Sequence, residues 1–260
     1  MTASGSLLPR EHGAYAELAF PLVTGLGLAT PTVGTFAVAV GAFALFLVHE
    51  PLAISLGFRG ARLQSQRGNR ARIRVLALSA LAVVSLIVGV RAAGSLLWPS
   101  LAFPLAPLLL LGPLMLLGRQ KTLLGEILVI TVFAATVFPL GATSGVPPSR
   151  ILGASAVWWI SFVLGTLEVH AIKATHKGGD RSRWTRWGSP VAAGATSLFC
   201  IVAAAGPLAA VRVPALALLP PALGTLALSV RRVHPRFLKR VGWALVGANT
   251  LSLIILLVFG

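Results

Sequence analysis

Apolar runs of membrane-crossing length, separated by short polar islands, set the rhythm of this chain. A spanning helix needs about 20 mostly apolar residues. Nine such runs can be drawn, at 14–30, 32–57, 74–91, 96–117, 121–141, 151–171, 190–205, 211–230 and 238–259. The breaks carry turn-forming punctuation: Thr30-Pro31, Trp98-Pro99, residues 145–148, Gly206-Pro207 and His234-Pro235. Residues 206–221 allow a different division between the seventh and eighth runs. The expected fold is an all-α integral membrane bundle of nine transmembrane helices, forming one domain over residues 1–260. Residues 1–13 make a cytoplasmic lead, and 58–73 and 173–188 make basic cytoplasmic loops. The first run does not read as a signal peptide, because Glu17 and Pro21 interrupt it behind a long polar lead with a single Arg10.

Composition supports the same class. Hydrophobic residues make up 56% of the chain and charged residues 11%, against about 25% charged in a soluble domain. Mean hydropathy is +0.88. A soluble enzyme, a disordered chain and a disulfide scaffold are excluded, and the lone Cys200 cannot form an intrachain disulfide. The net charge of +16 does not imply nucleic acid, since the basic residues fall in islands between apolar runs. Sorted by side, 19 of the 22 lysines and arginines share one set of loops. Only Arg91, Arg150 and Arg212 lie on the other. The positive-inside rule then puts the amino terminus in the cytoplasm of an inner-membrane protein and the carboxy terminus outside.

The remaining ionisable groups show a further asymmetry. All six acids (Glu11, Glu17, Glu50, Glu126, Glu168, Asp180) and all five histidines (His12, His49, His170, His176, His234) sort to the basic side. Topology rules concern lysine and arginine, and acids contribute little to them, so this gathering implies a polar cavity facing the cytoplasm. Glu17, Glu50 and Glu168 fall within apolar runs. An ionisable group at that depth costs a few kcal/mol unless it faces a cavity or a partner. The alternative is that these carboxylates are neutral, or tied to arginines as structural glue.

The chain also echoes itself. His49-Glu50 ends the second run and leads into Arg59, Arg62, Arg67 and Arg70; Glu168-Val169-His170 ends the sixth and leads into Lys173, Lys177, Asp180, Arg181 and Arg183. The two glutamates are 118 positions apart, with four runs between equivalent points. This predicts two parallel four-helix repeats with a site at their interface. Pro51 after Glu50, and Pro21 four residues after Glu17, free backbone carbonyls, which is tolerated at depth where a cavity is lined.

Nine spans with polar motifs after the second and sixth resemble the UbiA superfamily of intramembrane prenyltransferases. The resemblance implies a UbiA-like bundle in which acidic motifs hold magnesium on an isoprenyl diphosphate. Here the first motif reads His49-Glu50-Pro51-Leu52-Ala53-Ile54-Ser55-Leu56-Gly57, so Ala53 and Gly57 stand where the family has aspartates. At finer grain, Pro9-Arg10-Glu11-His12-Gly13-Ala14-Tyr15, His49-Glu50-Pro51 and Lys121-Thr122-Leu123-Leu124-Gly125-Glu126 are similar to the YwiC-like family of bacterial membrane proteins.

Three functions remain open on the residues. The first is an enzyme acting on an isoprenyl diphosphate or another anionic membrane lipid. Glu50, Glu168, His49 and His170 would be its catalytic or weakly metal-holding groups. His12, Glu17, Arg59, Arg62, Arg67, Arg70, Glu126, Lys173, Lys177, Asp180, Arg181 and Arg183 would bind substrate, the arginines gripping phosphate directly. The alternative for these basic residues is that they only set topology or meet lipid head groups. The second is a carrier for a small anion or lipid, against which stands an outer half with few polar residues beyond Ser95, Thr143 and Ser144. The third is a non-catalytic assembly protein. A zinc or iron site of His49, Glu50, Glu168 and His170 has no diagnostic spacing. Convergence of Glu50 and Glu168 across a cavity would favour the first two, and their pointing apart into packed helices the third.

Overall fold

The computed structural model describes residues 7–8, 12–28, 30–94, 97–119, 121–174, 181–206, 209–231 and 233–260, with the side chains of 12, 181–186, 209 and 210 outside the description. The described residues form α-helices without a strand. These are α1 (His12–Gly27), α2 (Val33–Ser55), α3 (Ala61–Ala93), α4 (Leu97–Leu116), α5 (Leu123–Ala135), α6 (Val137–Thr143), α7 (Pro148–Ala174), α8 (Arg181–Ala205), α9 (Ala209–Arg231) and α10 (Leu238–Phe259). With α5 and α6 taken together, eight segments are long and apolar enough to cross a membrane. Their outer faces expose Leu76, Val83, Val84 and Ile87 on α3, Leu109 and Leu110 on α4, and Leu198, Phe199 and Val202 on α8. Apolar patches of that extent are rare in water. The chain is a multi-pass membrane protein.

The first expected span, α1, is different in kind. Its 16 residues reach about 24 Å, short of a full crossing. It packs against α2, α5, α6, α7 and α10, and Leu18, Phe20, Leu22 and Thr24 are buried. It is packed inside the bundle against five of the other helices.

Three expected boundaries are corrected. Residues 58–73 are not a loop beyond their first few positions: α3 begins at Ala61 and runs for 33 residues, about 50 Å. Alanine, arginine, leucine and glutamine are strong helix formers whether or not they are apolar, so the helix continues past the hydrocarbon. Residues 173–188 likewise hold the end of α7 and the first turns of α8, with 175–180 outside the described residues. The fifth run breaks at Thr136, because Pro139 has no N–H to give to the carbonyl of Ala135. At the break the Thr136 hydroxyl donates to the Phe133 carbonyl at 2.7 Å.

Small residues let helices approach closely. A Cβ on Gly89 of α3 would lie 2.8 Å from Val38 Cγ2 of α2, and one on Gly34 would lie 2.8 Å from Ala92 Cβ. In α1, a Cβ on Gly25 would meet Leu140 at 2.6 Å. The main core surrounds Trp158 of α7, which stacks on Phe20 at 5.1 Å and Phe162 at 5.7 Å. Its indole N–H donates to Thr24 Oγ1 at 2.9 Å. At one end of the bundle, Thr35 Oγ1 lies 2.8 Å from Ser144 Oγ and receives a hydrogen bond from Thr143 Oγ1 at 3.1 Å. This hydroxyl cluster ties the start of α2 to the end of α6.

Candidate functional site

The other end of the bundle carries the start of α3, α5, α8 and α10 and the end of α2, α7 and α9, and with them most of the arginines. Three acid-centred clusters form there. In the first, Glu50 is buried at 4% exposure and accepts from Arg59 Nη2 at 2.5 Å. The nine-residue separation is closed by a bend after α2. Gly57 and Gly60 take φ of +81° and +97°, angles that residues with a Cβ rarely adopt. Gln64 holds the bend from α3 by donating to the Ser55 carbonyl at 2.9 Å. Only part of the Arg59 side chain is covered, with 32% exposed. Behind it on α3, Arg62, Arg70 and Arg72 are exposed and Arg67 and Arg74 half-buried.

In the second cluster, Glu126 Oε2 lies 2.7 Å from His170 Nε2. Thr122 caps α5 by accepting from Gly125 N, which places Glu126 in the first helical turn where a negative charge meets the unpaired N–H groups. The third is built on Glu168, 2% exposed. Its Oε2 accepts from Ser189 Oγ of α8 at 2.6 Å and from Ser229 Oγ of α9. Hydroxyl donors satisfy the carboxylate without a basic partner among the described residues.

These clusters redistribute the expected roles. His170 sits with Glu126 rather than with Glu168. Glu50 and Glu168 each engage their own partners and are not joined to each other by any described bond. His49 and Glu17 are half-buried, and Lys173 is exposed. His12, Lys177, Asp180, Arg181 and Arg183 have side chains outside the described residues. Among the described residues, no three histidine, cysteine or acidic groups gather where a metal ion could be held. Ser189 and Ser229 were not signalled by the sequence. A serine on an apolar helix is common, and only its facing a carboxylate distinguishes it.

Two recesses lie away from these clusters. One, about 320 Å³, is an apolar groove between α2 and α3 lined by Phe36, Val40, Phe43, Leu47, Leu78 and Leu81. The other, about 340 Å³, lies at the opposite end of the bundle against Arg150, Pro214 and Phe259. Neither is lined by the ionisable residues expected to bound a polar cavity.

No curated protein and no solved structure matches the chain. The family model described as YwiC-like protein matches residues 8–140, which include the Glu50–Arg59 bend and the capped Glu126. That match covers half of the chain, and the protein belongs to the YwiC-like family.

Proposed function

We propose that this protein binds a lipid-borne phosphate at the basic end of its bundle, facing the cytoplasm, and that its helices follow the UbiA-like plan implied by the nine-span pattern. The observation that carries the reading is the Glu50–Arg59 pair. A buried carboxylate holds one terminal nitrogen of a guanidinium that partly reaches the surface, and a planar group anchored in this way suits phosphate oxygens. Arg62, Arg67 and Arg70 follow on α3. Leu78 and Leu81 continue α3 into the apolar groove, whose volume falls within the roughly 300–1,000 Å³ of ligand pockets. A head group at the arginines and a chain along α2 would use both. An isoprenyl phosphate or diphosphate is the substrate class, with transfer chemistry as the enzyme form of the reading.

The test uses the full chain in nanodiscs. Polyprenyl phosphate and diphosphate binding is measured with and without magnesium, alongside pyrophosphate release. Saturable binding that Arg59→Gln and Arg70→Gln weaken by about tenfold, some 1.4 kcal/mol, supports the proposal. Equal partitioning of phosphorylated and neutral lipids overturns it. Binding without pyrophosphate release leaves a carrier rather than a transferase.

A further inference from the structure

Hydroxyls inside apolar helices usually bond back to the carbonyl four residues earlier. Five described side chains do so here: Thr24 to Phe20, Thr131 to Ile127, Ser197 to Ala193, Thr250 to Val246 and Ser252 to Ala248. Other buried hydroxyls bond to a carbonyl three residues earlier, to another helix or to Glu168, and two bond to nothing described. Ser161 Oγ of α7 and Thr225 Oγ1 of α9 have no hydrogen-bond partner among the described atoms, and neither has Asn249 Oδ1 of α10. The three residues are 2%, 0% and 8% exposed.

Helix register brings these three atoms together in depth. On α7 and α9, which run the same way, Gly153 meets Pro214 and Glu168 meets Ser229. Both pairs are offset by 61 residues, so Thr225 is level with Leu164, one turn inward of Glu168. On α10, running the opposite way, Leu245 meets Gly165, which sets Asn249 level with Ser161. Azimuth agrees with depth. Ser161 lies on α7 between Leu164, which packs with Ala222 of α9, and Gly165, which faces α10. Ser161 is also seven residues from Glu168, two turns along the same face and about 10 Å away. The polar atoms therefore form a ladder running inward from Glu168, Ser189 and Ser229 through Thr225 to Ser161 and Asn249.

We propose that α7, α9 and α10 enclose a hydrated recess, with internal water held by Ser161, Thr225 and Asn249 and continuing inward from the Glu168 cluster. Buried polar atoms are almost always partnered, and an internal water typically makes about three hydrogen bonds. Water can donate to Asn249 Oδ1, which only accepts, while receiving from a hydroxyl. The recess lies in the C-terminal half, independent of the phosphate site proposed between α2 and α3. It would extend the polar lining of the Glu168 cluster toward the Trp158 core.

Thiol labelling of the full chain in nanodiscs tests this. On a Cys200→Ala background, Ser161→Cys, Thr225→Cys and Asn249→Cys are compared with Leu164→Cys, which lies at the same depth but in a packed apolar cluster. A small charged methanethiosulfonate reacts with thiolate, which apolar burial suppresses. The three recess positions are expected to react at least about tenfold faster than the control, since one pKa unit is a tenfold change in thiolate. Reaction at the control rate overturns the proposal. A second measurement does not depend on cysteine. In the combined Ser161→Ala, Thr225→Val, Asn249→Leu variant, a hydrated recess leaves Tm unchanged or lower, whereas in a dry interior the removal of orphaned polar groups raises it, which also overturns the proposal.

Discussion

Arg59 and Glu50 are unequal members of one pair, and the inequality predicts how each responds to removal. Glu50 is buried while Arg59 reaches the surface. Arg59→Ala leaves a carboxylate in a place it cannot hydrate, at a cost of about 3 kcal/mol, the low end for a buried pair because the arginine is partly solvated. Glu50→Gln costs less, since the freed guanidinium can turn toward water. The double variant Glu50→Gln/Arg59→Ala should recover much of the loss, and denaturant titration of all three variants in micelles checks the order. The Glu168 cluster behaves differently, because two hydroxyls share one oxygen. Ser189→Ala and Ser229→Ala should each cost about 1–2 kcal/mol, and the pair should be non-additive. The carboxylates could be read from the sequence, since a lone acid in an apolar run is conspicuous. Their partners could not. Arg59 reaches Glu50 only through a two-glycine bend, and the two serines come from helices 21 and 61 positions away.

At the scale of elements, the α2–α3 hairpin rests on the absence of side chains. Gly89→Ala drives a methyl to within 2.8 Å of Val38 Cγ2, and overpacking of that kind costs about 1–3 kcal/mol. Gly112 of α4 meets nothing within 4 Å. There the same substitution should instead stabilise by about 0.5–1 kcal/mol through helix propensity. Thermal unfolding of the two variants side by side checks both signs, and loss of stability in Gly112→Ala would remove the packing explanation. Eight of the nine expected spans, and their order, were legible because run length against membrane thickness is a one-dimensional property; the short α1 passes the same count without being long enough to cross. The start of α3 was not, because a membrane-length reading counts arginines as loop while the backbone counts them as good helix residues. The α5–α6 break had a signal in Pro139, but the apolar run around it concealed the interruption.

For the whole molecule, the strongest organising feature is the difference between its two ends. One end holds the Glu50, Glu126 and Glu168 clusters and the arginine-rich start of α3. The other holds uncharged threonine and serine hydroxyls, tied through Thr35, with Arg91, Arg150 and Arg212 as the basic residues. This polarity could be read from the sequence because charge placement survives errors of several residues in helix boundaries. The separation into three acid clusters could not, since it depends on which helix faces which. Lysine and arginine excess is retained on the cytoplasmic side, and that rule makes a direct prediction. Ser65 lies on the basic start of α3 and Ser149 on the first turn of α7, both exposed, while Cys200 is fully buried. In intact cells carrying a Cys200→Ala chain, an impermeant maleimide should label Ser149→Cys at once and Ser65→Cys only after the membrane is opened. The reverse pattern would turn the molecule over, placing the arginines of the proposed phosphate site outside and removing the cytoplasmic substrate pool from the proposed function. Labelling of both positions in sealed cells would mean that the helices joining them do not cross an odd number of times, and the order of spans from α3 to α7 would have to be redrawn.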